Sequence, residues 1–160
     1  MEKTLSSTTR RRLDVQGMNG ISDEALAEIF PWQRMAYLMC SILAGVGTAL
    51  ASPIILWILV PVAGLAALFP VHPFDLIYNH GIRHFRKTGP LPKRAAQGRF
   101  ACGIATVWLI ATALAFQSGF PITAYVLGFS LTFVGLLVGT TDICIPSIIY
   151  NAIFLRKQDR

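Results

Sequence analysis

The sequence predicts an all-α membrane protein: four transmembrane helices arranged as two hairpins, with an interfacial amphipathic helix after each. Three observations carry this. Hydrophobic residues make up 54% of the 160-residue chain and charged ones only 14%, against roughly 25% charged in an ordinary soluble domain. From Met35 to Val71, and again from Phe100 to Thr141, there is no Asp, Glu, Lys, Arg or His. Runs of that length have no place to hide in a soluble unit of this size, so their solvent is lipid. Open sheets are excluded there, because their edges would face lipid unpaired.

Each run is too long for one span. A single helix over the first would reach ~55 Å, against a hydrocarbon core of about 30 Å. Each also carries a turn signal near its middle, "ASP" at Ala51–Pro53 and "QSGFP" at Gln117–Pro121. Proline is comfortable at a first helical position, where its missing N–H would be unpaired anyway. The predicted spans are 35–51, 53–69, 100–116 and 121–140, with Pro61 predicting a kink in the second. Charge distribution provides an independent check. All 14 lysines and arginines fall in the N-terminal segment, the 71–99 loop or the C-terminal tail. Four spans put those three regions on one face, and the positive-inside rule makes that face cytoplasmic.

Residues 1–34 form a cytoplasmic segment, and 35–160 the transmembrane domain. Arg10, Arg11 and Arg12 are followed by "LDVQGMNGISDE" rather than an apolar stretch, so they are not a targeting signal. They are expected to touch anionic headgroups. Ser22 before "DEALAEIF" reads as the N-cap of a short helix that stops at Pro31, and Trp32 is placed in the interfacial aromatic belt.

The first interfacial helix, 73–87, is "PFDLIYNHGIRHFRK". Pro73 opens it, Asp75 sits in the first turn, and Gly89-Pro90 follows its end. Phe74, Ile77, Tyr78, Gly81, Ile82 and Phe85 make an apolar stripe. Asp75, Asn79, Arg83 and Arg86 fall opposite, and Arg86 and Lys87 occupy the last turn. The second, 146–157, lies in "IPSIIYNAIFLRK" and repeats Ile-Tyr-Asn at Ile149-Tyr150-Asn151. Two copies of a hairpin plus interfacial helix would be parallel repeats, with Tyr78 and Tyr150 at headgroup level.

Candidate chemistry is sparse. His80 and His84 share a helix face and could ligate one metal, but Arg83, Arg86 and Lys87 repel a cation. Cys40, Cys102 and Cys144 all fall toward the cytoplasmic ends of their helices. There they could converge for soft-metal or redox work, or simply pack as small apolar residues. Asp142, alone between Arg99 and Arg156, is expected to pair with an arginine of the central loop. Gly135 and Gly139 form a GxxxG pattern, and Ser41, Gly45 and Ala49 are small at the same spacing, which predicts close helix contacts.

"HPFDLIYNHGIRHF", then "RFACGIATVWLIATALAF", then "CIPSIIYNAIF" resembles a family of small bacterial integral-membrane proteins known only as a domain of unknown function. The resemblance covers about Ile21 to Phe154. It implies a bacterial inner-membrane location and no activity. The function expected is that of a non-catalytic subunit or scaffold packing against other integral membrane proteins, as an accessory subunit of a respiratory or photosynthetic complex. The alternatives are a thiol- or metal-handling protein using the cysteines with His80 and His84, and, third, a small transporter. No nucleophile–base pair, phosphate loop or paired carboxylate speaks for an enzyme. No cofactor and no nucleic-acid partner is implied; anionic lipids are.

Overall fold

The structure, a computed structural model, describes residues 5–86 and 88–155. Among them there is no strand. Helix α1 spans Ser7–Val15, α2 Asp23–Ala49, α3 Pro53–Leu68 and α4 Pro73–Ile77. A π-helical turn, Tyr78–Ile82, joins α4 to α5, Arg83–Arg86. Then come α6, Ala96–Gln117, α7, Pro121–Thr141, and α8, Ile145–Tyr150, which runs into a second π-helical turn, Asn151–Leu155.

Both hairpin turns form at the expected residues. After α2, Ser52 N–H donates to the Gly47 carbonyl at 2.8 Å and Ala51 takes a φ of +46°, before Pro53 opens α3. After α6, Gly119 supplies a φ of +76° and Phe120 N–H reaches back to the Ala115 carbonyl at 2.9 Å. Such left-handed C-terminal residues satisfy carbonyls that the helix leaves open.

The break expected at Pro31 is absent. Ser22 caps the helix as read, accepting from the Ala25 N–H, but α2 then runs unbroken through Pro31. Proline has helical φ and removes one hydrogen bond. Here it lies on the exposed side, where the carbonyl left over can meet solvent. The N-terminal helix and the first apolar helix are therefore one element. Helix α1 was not expected at all.

Helices α2, α3, α6 and α7 close into a ring: α2 lies against α3 and α7, and α6 lies against the same two. Its core is Ala44, Leu56, Leu59, Ala63, Leu109 and Ala113. A second small core, Leu13, Leu26, Ile29, Tyr78 and Leu91, sits at the end that carries α1 and the 70–99 loop. The N-terminal segment is tied to the far end of the chain there. Arg12 donates to the Thr141 carbonyl at 2.7 Å, Gln16 to the Asp142 carbonyl at 2.8 Å, and Asn151 to the Val15 carbonyl at 2.9 Å. Helices α6 and α7 are each long and apolar enough to cross a membrane; a third candidate is α3 with the α4 segment, bent by 83°. Four spans are not reached on length and composition alone. Within α2 only Met35–Ala49 is free of charge, and α3 is 16 residues long, ~24 Å at helical rise.

Candidate functional site

The polar chemistry of the chain gathers at the loop end of the ring. His72 is the N-cap of α4: its Nδ1 accepts from the Phe74 N–H at 3.2 Å, while the Asp75 carboxylate accepts from the His72 N–H at 3.3 Å. This reciprocal box pins the start of the helix. Arg94, in the chain leading to α6, donates to both Asp75 oxygens at 2.9 and 3.1 Å. Its guanidinium also lies over the Tyr37 ring, 4.8 Å from the centroid. Both members of this ion pair are buried, each side chain only 7% exposed. A fork-shaped bidentate pair is the geometry in which burying two charges is tolerated.

Burial lowers the pKa of His72 to about 4, with the Arg94 cation adding to the effect and Asp75 opposing it. The ring is neutral at physiological pH. Since Nδ1 accepts, its one proton belongs to Nε2. That nitrogen faces the interior of the ring of helices, 3.8 Å from Cys40 Sγ.

Behind His72 lies a cavity of about 120 Å³, walled by all four ring helices and by the start of α8. Cys40, Cys102 and Cys144 all line it, as do Trp108, Ser41 and Gly135. Cys144 also accepts from Ser147 Oγ at 3.0 Å. The three thiols are free. Among the described residues, no three His, Cys, Asp or Glu side chains are grouped closely enough to hold a metal ion.

Several expected site residues sit elsewhere. His80 and His84 are exposed, and His80 Nδ1 lies 3.1 Å from the Leu76 carbonyl of its own helix. Neither lines the cavity with the cysteines. The histidine that does is His72, whose signal in the sequence was its place just before a helix-opening proline. Asp142 pairs with Arg34 of α2, Nε to Oδ1 at 2.8 Å, rather than with the central loop. The loop arginine Arg94 holds Asp75 instead.

The amphipathic stripe of 73–87 also fails in part. Asp75, expected toward water, is 5% exposed, and Tyr78, expected at headgroup level, is 0% exposed; Phe85, expected to face the acyl boundary, points away from the protein at 91% exposed. Asp75 lies ahead of the π-helical turn and Tyr78 is its first residue, so tertiary contacts set their face, and Asp75 turns inward to Arg94. Tyr78 packs instead against Trp32, ring centroids 5.2 Å apart, and Trp32 itself is half-buried. Tyr150 packs on Phe100 at 5.4 Å. Arg83 is half-buried. Lys87 and the side chain of Arg86 lie outside the described residues, as do residues 156–157 of the second interfacial helix.

Arg10 and Arg12 are used inside the chain, Arg10 on the Ile21 carbonyl at 2.7 Å and on Asp14 and Asp23; Arg11 alone of the triplet is exposed. The expected small-residue helix faces meet each other, on α2 and α7. A side chain built at Gly135 would run into Ser41, one at Gly139 into Leu38, and one at Gly45 into Thr132.

With the fold and the cavity in place, one comparison adds an identity. The chain belongs to the DUF4395 family. The family is described as a domain of unknown function, and its model matches residues 31–154. That range takes in the apolar part of α2, the whole ring, the cavity and α8, and leaves out α1. No curated protein and no solved structure matches the chain.

Proposed function

We propose that this DUF4395 protein is a non-catalytic subunit of a membrane assembly. In this reading all four ring helices cross the bacterial inner membrane, as two hairpins each followed by an interfacial helix. Both termini and the 70–99 loop lie in the cytoplasm. The one-sided distribution of the 14 basic residues supports that orientation, and the ties between α1, the end of α7 and α8 are consistent with it. Interfacial elements at α4 and α8 extend the short spans at the same membrane face.

The observation that carries the role is a shallow apolar groove on the outer face of α6 and α7, about 570 Å³. Gly103, Val107 and Ala111 floor it, with Leu127 at its side. Gly45, Gly135 and Gly139 already serve the α2–α7 contact inside the chain, so they are not available to a partner. Gly103 and Ala111 are small and lie two turns apart on one face, with Val107 between them, which lets the backbone of another helix approach closely at both ends of the groove. Its partner is a transmembrane helix of another protein. A photo-reactive residue in place of Val107, in the full-length chain at native expression, tests this. Cross-linking to one discrete partner is expected, with no such product from the same probe at Ile58 on α3. Recovery in mild detergent as a lone monomer, with no cross-link at either position, would sink the reading.

The thiol-handling alternative has one observation in its favour: the three cysteines do line one cavity. Replacing all three by serine tests it, since loss of bound metal or of thiol reactivity with a partner is required and an unchanged phenotype removes it.

A further inference from the structure

The cavity inside the ring is apolar in most of its lining, yet two of its polar groups are poorly satisfied. Trp108 lines it, and the indole Nε1–H is buried without a hydrogen-bond partner among the described residues. An indole nitrogen can only donate, and a buried donor left unpaired costs on the order of 1–3 kcal/mol. His72 Nε2–H is a second donor; its nearest partner is the Cys40 sulfur at 3.8 Å, a weak acceptor. Ser41 is already committed, its hydroxyl donating to the Tyr37 carbonyl at 2.7 Å. Two donors in the lining, the indole N–H and the His72 N–H, are therefore left without a strong acceptor.

Size narrows the occupant further. About 120 Å³ is close to the ~150 Å³ cavity that accommodates benzene, so the space suits one six-membered ring. Its walls belong to the membrane part of the protein, so the ring must come from a molecule soluble in the bilayer. An acyl chain would fill the space but leave both donors unpaired. A charged headgroup is disfavoured by the apolar walls. What remains is a neutral ring that carries oxygen acceptors.

We propose that this cavity binds the carbonyl-bearing ring of a membrane-soluble molecule of the quinone class, with Trp108 Nε1–H and His72 Nε2–H donating to its oxygens. The pocket accounts for two features at once: an indole with no partner, and a neutral N-cap histidine whose free N–H is aimed inward. Binding alone is assigned to the site. Ile104 and Trp108 line both this cavity and the partner groove, so the two sites share a wall.

The test uses the full-length protein in mild-detergent micelles, with retention of 2-decyl-1,4-benzoquinone measured by extraction and absorbance against empty micelles. Saturable retention of one molecule per chain is expected. Trp108→Phe keeps an aromatic ring and removes the donor, and is expected to raise Kd about tenfold, the worth of one hydrogen bond. His72→Asn removes the inward N–H while an amide oxygen still caps Phe74, and is expected to weaken retention similarly. Ala105→Phe places a ring in the cavity and should abolish retention. Decylbenzene should be retained no better than by micelles alone. Undiminished binding in Ala105→Phe of unchanged thermal midpoint would overturn the proposal, and so would equal retention of decylbenzene, which would mark an acyl pocket. If Ala105→Phe does not fold, the two donor variants decide: no change in Kd in both overturns it, weakened binding supports it.

Discussion

Helices α4 and α8 are built to the same local plan and held in place by different chemistry. Each begins with an N-cap that lines the cavity, His72 or Cys144, and each has proline in its first turn. Each buries the side chain three residues past the cap, Asp75 or Ser147. Each passes into a π-helical turn near its Tyr-Asn pair, and each asparagine then ties a distant backbone. Asn79 accepts from the Leu91 N–H at 3.0 Å, and Asn151 donates to Val15. The difference lies at the buried position. In α4 it is a carboxylate that requires Arg94; in α8 it is a hydroxyl satisfied by its own cap sulfur. The first is tied to a loop 19 residues away and the second is self-contained. A buried charge makes a helix depend on a partner, whereas a neutral side chain lets the same plan stand alone.

The largest way to break this contrast is to take the partner away. Arg94→Met leaves Asp75 buried and unpaired, and should cost about 3–5 kcal/mol, read as a drop in thermal midpoint in detergent. Adding Asp75→Leu to that variant should recover most of the loss. A double variant no better than the single would show that the pair does more than neutralise a charge.

A pH titration separates the caps. Burial and Arg94 hold the folded His72 pKa near 4, below its ordinary 6.5. The unfolded chain therefore takes up the proton first as pH falls. Stability is unaffected above pH 6.5 and declines as pH drops from 6.5 toward 4, by on the order of 3 kcal/mol in all. His72→Asn should flatten that decline between pH 6.5 and 5, before carboxylates begin to titrate. Cys144→Ser, at the matching position of α8, should leave it intact; a flat profile in the wild type would mean that His72 is charged in the fold.

Asp142→Asn weakens the Arg34 contact at the entry to α8. Arg34 is partly exposed and can be rehydrated, so about 1.5–3 kcal/mol is expected, again in thermal midpoint. The smallest effect belongs to Ser147→Ala, about 0.5–1 kcal/mol, because sulfur is a weak acceptor. A loss comparable to that in Arg94→Met would erase the distinction between the two helices.

Much of the architecture was legible because lipid imposes simple rules. The uncharged runs, the turns at Ala51–Pro53 and Gln117–Pro121, and the small-residue faces of α2 and α7 all read correctly as local patterns. The stretch from 73 to 86 was legible as helical but not in the side it buries, since Asp75 turns to Arg94 and Tyr78 to Trp32, partners that no local pattern names. Pro31 misled because a helix already nucleated on both sides tolerates one missing hydrogen bond on an exposed face. His80 and His84 attracted notice by their spacing, a signal intrinsic to one helix. The relevant histidine, His72, acquires its role only from Cys40 of α2 and Arg94 of the next loop.

By itself, then, the sequence determined that this chain is helical, apolar over two long runs and basic only outside them, because solvent and hydrogen-bond satisfaction act on composition and short-range order. Which carboxylate meets which arginine was decided by the tertiary structure alone. So were the meeting of three cysteines, each on a different element, at one cavity, and the choice of histidine that faces it. Those pairings depend on the angular phase and closing order of the ring of helices, set by side chains far apart in the chain.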